Sequence, residues 1–113
     1  DLVICSMSIH TVSDFKSSIK NAFSKVKSGG KLIIIDFNEN AKKPIKERFK
    51  GEINDWHCKG LYKLDCGIEV ESEIFFHKEK EFLKELQSYG KVVKTNLGPV
   101  FCGYKLKKEA IRV

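Results

Sequence analysis

The chain has 113 residues, 42% of them apolar, with 21 basic side chains against 15 acidic ones and a net charge of +6. That is one domain or less, with enough apolar material for a modest core and not for two. The positive excess suits an anionic partner, but the lysines are scattered and no basic stripe alternates with aromatic residues, so the charge reads as solvated surface and not as a nucleic-acid interface.

Cys5, Cys58, Cys66 and Cys102 show neither CxxC spacing nor the density of a small secreted framework, and reduced thiols are the expectation. No apolar run reaches the ~20 residues that a membrane span requires, and no signal segment is visible. A soluble cytoplasmic protein is expected.

Residues 1–37 organise the rest. DLVIC opens the chain as an apolar run of buried-strand type, and KLIIIDF, rich in β-branched residues, closes the stretch. Between them, Phe15, Ile19, Ala22, Phe23 and Val26 recur at helical spacing, with Ser13 as the expected cap, Asp14 behind it and Gly29-Gly30 as the stop. Two strands joined by such a helix run parallel with a right-handed crossover, and their near-continuous hydrophobicity predicts that both faces are covered.

The loop Ser6-Met7-Ser8-Ile9-His10-Thr11-Val12 leaves the first strand at its carboxyl end, where open parallel sheets bind ligands. His10 is either a base that meets a substrate or a residue bonded to backbone at the head of the helix. Asp36 closes the second strand at the same sheet edge, as a substrate-binding carboxylate or as a cap for the departing chain.

In AKKPIKERFKGEINDWHCKG, Pro44 suits a first helical position, and Ile45, Phe49, Ile53 and Trp56 repeat at helical spacing, which predicts one helix or two short ones. LYKLDCGIEVESEIFF then reads as two strands about a hairpin turn at Asp65-Cys66-Gly67. His57, Cys58, Cys66 and His77 lack the close-spaced ligand pairs of a zinc site, and no metal is expected. The tail is a helix with Phe82, Leu83, Leu86 and Tyr89 on one face and Gly90 as stop, followed by KVVKTNL and VFCGYKL about a bend at Gly98-Pro99. Phe101 and Tyr104 suit either sheet face, and KKEAIRV reads as a frayed end.

DLVICSMSIHTVSDF followed by SKVKSGGKLIIIDF resembles the middle of class I S-adenosylmethionine-dependent methyltransferases, and EKEFLKELQSYGKVVKTNLGPVFCGYKLKK resembles their last helix and terminal hairpin. The resemblance implies an α/β fold: a partial Rossmann-like sheet of two parallel strands plus a C-terminal antiparallel hairpin, with flanking helices and a spatial order of first, second, fourth, third. It also implies that the glycine-rich cofactor loop and the ribose-binding acid lie before residue 1, making 1–113 the C-terminal half of a larger domain. Residues 38–77 fall where the family carries a substrate-side insertion or lid. On the same ground Cys5, Ser6 and Met7 would lie beside the methionine end of the cofactor, His10 and Asp36 would be catalytic, and Trp56, Tyr62, Phe75 and Phe76 would line the acceptor pocket, the alternative for these four being that they cover the sheet as core. CSMS lacks the Asp/Asn-Pro-Pro-aromatic loop of enzymes that methylate nucleic-acid amines or glutamine amides. A GxGxxG dehydrogenase fingerprint is also absent.

The expected activity is therefore methyl transfer from S-adenosylmethionine to a small molecule by the parent domain, with this stretch inactive by itself. The alternative is a non-catalytic binding or oligomerisation module. Either way the first strand should present an apolar edge or face, covered by a second copy, covered by a companion chain, or left bare.

Overall fold

The computed structural model describes residues 2–7 and 9–109. Asp1, Ser8 and the last four residues of the expected frayed end lie outside that set. Strand β1 (Leu2–Ser6) pairs in parallel with β2 (Lys31–Phe37), from Leu2 opposite Lys31 to Ser6 opposite Ile35, and helix α1 (Phe15–Ser24) makes the crossover. Antiparallel β7 (Phe101–Lys107) lies on the other side of β2, and β6 (Val92–Asn96) lies outside β7, so the order is β1-β2-β7-β6. This is the order expected from sequence, in a Rossmann-like mixed sheet.

Alternation decides what this sheet hides. Leu32, Ile34, Tyr104 and Leu106 point to one face, where Phe15, Ile19 and Ala22 of α1 and Phe82 and Leu86 of α3 (Glu79–Gln87) bury them. Burying each such side chain contributes roughly 1.5–3 kcal/mol. The opposite face is not covered, contrary to the expectation from its apolar runs. Leu2 is 52% and Ile4 56% exposed, with Ile33 and Ile35 half-buried beside them. β1 has no partner on its outer edge among the described residues.

The start and stop signals of α1 are shifted. Asp14, and not Ser13, caps it, accepting from Ser17 N–H at 3.1 Å, and the helix ends at Ser24. Gly29 and Gly30 instead turn the chain into β2 and exchange backbone hydrogen bonds with Lys108.

Residues 38–77 form a second unit. A short helix α2 (Lys42–Lys46), with Pro44 inside its first turn, is followed by an antiparallel sheet of β3 (Phe49–Ile53), β4 (His57–Lys63) and β5 (Glu69–Phe75). The helix expected through Ile53 is thus a strand. Positions 49 and 53 share a face in either structure, but Gly51 takes φ of 137° and faces Gly60 at 149°, a crossing that a helix cannot contain. The hairpin at Asp65-Cys66-Gly67 and the bend at Gly98-Pro99 form as expected. Phe49, Cys58, Ile45, Ala41 and Phe76 make a separate core for this sheet, and the molecule is elongated, 55 × 24 × 23 Å. No described helix is long and apolar enough to cross a membrane.

Candidate active site

The carboxyl ends of β1 and β2 meet the base of the small sheet, and three local features shape the site there. Met7, directly after β1, sits in the left-handed region at φ 55°, unusual for a residue with a Cβ, while its N–H donates to Ile35 O at 2.7 Å. This sharp turn sends the chain into a single 3-10 turn, Ile9–Thr11, across the end of β2. Asp36, the last inward-facing residue of β2, receives that turn.

The Asp36 carboxylate is buried and accepts from four donors. Oδ2 takes the N–H groups of Ile9 at 2.9 Å and His10 at 3.1 Å. Oδ1 takes the N–H of Phe37 at 2.8 Å and His10 Nδ1 at 2.8 Å. A carboxylate only accepts, so the Nδ1 proton of His10 belongs in this bond, and in the neutral ring Nε2 is then the acceptor nitrogen. The His10 ring also rests against Phe37, with centroids 4.8 Å apart.

His77, between β5 and α3, completes the clamp. Its Nε2 donates to Ile9 O at 3.0 Å, and its ring lies 4.8 Å from that of Phe15. Both backbone groups of Ile9 are therefore fixed, one by the end of β2 and one by the segment leaving the small sheet. The sequence offers no sign of this role for His77 beyond its place in a metal-ligand set that the spacing rules out. No group of His, Cys, Asp and Glu among the described residues could hold a metal ion.

His10, Asp36, Phe37, Phe76, His77 and Tyr104 are among the residues lining a partly open space of about 30 Å³. That has room for one or two waters and none for a nucleoside. Burial, helped by the Cys102 side chain, pushes the Tyr104 phenol far above its ordinary range, so it keeps its proton. At the rim Glu39 and Glu79 bridge two elements: Glu79 N–H donates to Glu39 Oε1 at 2.8 Å, which caps α3 where Lys78 supplies no side-chain cap.

Of the residues singled out from sequence, His10, Asp36, Phe75 and Phe76 come together at this space. Trp56 and Tyr62 do not line it; they pack on the small sheet's own core, Tyr62 edge-on to Phe49 at 5.2 Å. Cys5 faces the core beneath α1, where burial raises its thiol, Ser6 is exposed, and Met7 forms the turn.

No family model and no curated protein matches the sequence. Among solved structures, the fold is similar to that of a protein from Listeria monocytogenes described as a candidate S-adenosylmethionine-dependent methyltransferase, with a TM-score of 0.65 and 13% sequence identity. The chain shares with that structure a Rossmann-like α/β fold, a mixed sheet with flanking helices. The match takes in 96% of this chain and 61% of the Listeria chain, so the residues here span less than two thirds of that protein.

Proposed function

We propose that this chain is part of an enzyme that transfers a methyl group from S-adenosylmethionine to a small-molecule acceptor. The observation that carries the reading is the His10–Asp36 pair at the carboxyl ends of two parallel strands, in a fold shared with a methyltransferase-like protein. S-adenosylmethionine would supply an already activated methyl, so the protein's task is alignment and exclusion of water, not the making of a nucleophile. The partly open space is too small for the cofactor; the residues present fit it only as one wall, with Ser6, Met7 and the backbone of Cys5 beside its methionine end, the Cys5 side chain facing the core. His10 takes the acceptor's proton at Nε2. Asp36 is the positioning residue that fixes the imidazole, since its oxygens are already engaged by the chain. Phe37 and Phe76 keep water from the reacting end of the acceptor, and Trp56 and Tyr62 support that wall from behind.

The wall toward the cofactor's adenosine belongs to the rest of the parent domain. The bare face at Leu2 and Ile4 and the unpaired edge of β1 support this, because added strands and helices would cover both. The same edge favours the second reading, an association module that pairs with a copy of itself or with a companion chain. A cytoplasmic setting accords with the four free thiols.

Calorimetry with S-adenosylmethionine on the full-length protein is the test, together with transfer of labelled methyl to a metabolite extract. Micromolar binding, and a loss of transfer of about 10²-fold or more in His10→Ala with binding unchanged, is the expected result. An unchanged rate in His10→Ala removes the base, and absence of binding removes the function. Residues 1–113 alone should bind the cofactor at least ~100-fold more weakly than the full-length protein, since binding energy from the missing wall is lost.

A further inference from the structure

Trp56 lies at the tight turn between β3 and β4, with the ammonium of Lys42 3.4 Å from its ring centroid and that of Lys78 5.4 Å from it. Lys46 joins them: Lys42 Nζ and Lys46 Nζ both stand 3.0 Å from one oxygen, Oδ1 of Asp55. The side chains of Lys42 and Lys46 are only 16% and 22% exposed, whereas Asp55 is 71% exposed. Ammonium groups are strongly hydrated point charges, and here two share a single carboxylate oxygen. Each gives that oxygen one of its three donors, so the cluster retains donors and positive charge. The two lysines, with Lys43, Glu47 and Asp55, line an open hollow of about 480 Å³. Hydrogen bonds from Lys42 and Lys46 hold the Asp55 carboxyl below its usual range.

We propose that this hollow is a binding site for the phosphate group of a small phosphorylated molecule. A phosphate presents three acceptor oxygens and about two negative charges, which suits a hollow lined by three lysines against two carboxylates, Glu47 and Asp55. The site adjoins the partly open space: the Phe76 ring, which lines that space, lies 6.0 Å from Lys46 Nζ, and Phe76 N–H donates to Trp56 O at 2.8 Å. That the phosphate belongs to the methyl acceptor rests on the function proposed above; the binding site itself does not.

Trp56 is the sole tryptophan of these 113 residues, and its ring touches Lys42 at the edge of the hollow, so its emission responds to changes at these lysines. Inorganic phosphate titrated into the protein should change the emission saturably at millimolar concentration, while chloride and acetate at matched ionic strength should not. Lys42→Gln with Lys46→Gln should weaken the response at least ~10-fold, and Lys78→Gln by less, since these are charge-assisted contacts. Asp55→Asn, which removes the competing carboxylate, should tighten it by roughly twofold to fivefold. Lys63→Gln, outside the hollow, should leave it unchanged. A response that acetate reproduces, that never saturates, or that survives the double lysine substitution overturns the site. Failure to bind S-adenosylmethionine leaves it standing and removes only the methyl-acceptor reading.

Discussion

In the four-stranded sheet Leu32, Ile34, Tyr104 and Leu106 are all buried beneath α1 and α3, whereas in the three-stranded sheet Ile53, Leu61 and Val70 are 46%, 40% and 37% exposed and α2 is one short turn of cover. The larger sheet is held by packing against two helices. The smaller is held chiefly by its ladder of backbone hydrogen bonds, by Phe49 and Cys58, and by the glycine crossing at its centre. Elements with little apolar burial open locally at low cost. The lesson is that the candidate site joins two regions of unequal rigidity, with His10 and Asp36 on the firm one and Phe76 and His77 on the edge of the loose one.

The sharpest way to break that comparison is to cut into each core. Ile19, fully buried under the larger sheet, should lose ~2–5 kcal/mol when changed to alanine, read as a lower urea midpoint for the whole chain. Phe49→Ala should instead remove hydrogen-exchange protection from β3, β4 and β5 while leaving α1 and β2 protected. Equal loss of protection in both sheets would mean they form one cooperative unit.

Next in size is the crossing. A Cβ on Gly60 would run into the carbonyl oxygen of Lys50, at φ of 149°. Gly60→Ala should therefore cost ~1–3 kcal/mol from the backbone conformation, with the clash in addition, and should unpair β3 from β4. Gly67, at φ of 90° with open space for 4 Å around the place a Cβ would take, provides the contrast: Gly67→Ala should cost less, ~1 kcal/mol, and leave the ladder intact by exchange.

At the junction, Asp36→Ala strands the N–H groups of Ile9 and His10 and should cost ~1–3 kcal/mol, with most of the exchange loss confined to the 3-10 turn. Nitrogen-15 spectra should show the His10 ring losing its preference for the Nδ1-protonated tautomer. An unaltered tautomer would mean that Asp36 does not orient the ring.

Much of this is open to a reader of the sequence, for reasons of range. β1, α1 and β2 announce themselves because apolar runs and a helical period are local, and the shared sheet edge of His10 and Asp36 follows from strand polarity alone. Phe49 and Ile53 mislead because a spacing of four puts them on one face of a helix or of a strand, and what decides is Gly60 opposite Gly51, a pairing that no local window contains. The bond from His77 to Ile9 spans 68 residues and is beyond reach for the same reason. Continuous hydrophobicity in β1 predicts a surface needing cover, and of the alternatives expected for it the described residues show the bare one.

The smallest effect concerns protons. Burial raises the thiols of Cys5 and Cys102 in the larger sheet and of Cys58 in the smaller. Unfolded thiols ionise near ~8.5, while these stay protonated in the folded protein, so above that pH the folded state holds more protons than the unfolded one. Stability is thus full below ~8.5 and falls as pH rises toward the folded values, by at most ~1.4 kcal/mol per pH unit for each group. Because two of the three thiols belong to the larger sheet, replacing Cys5 and Cys102 by alanine should flatten the decline above pH ~8.5 more than replacing Cys58. Urea titrations on both sides of that pH measure the slopes, and the slope, unlike the absolute stability, is unaffected by the packing each substitution removes. A steeper contribution from Cys58 would place the tighter, drier packing in the three-stranded sheet and reverse the contrast between the two.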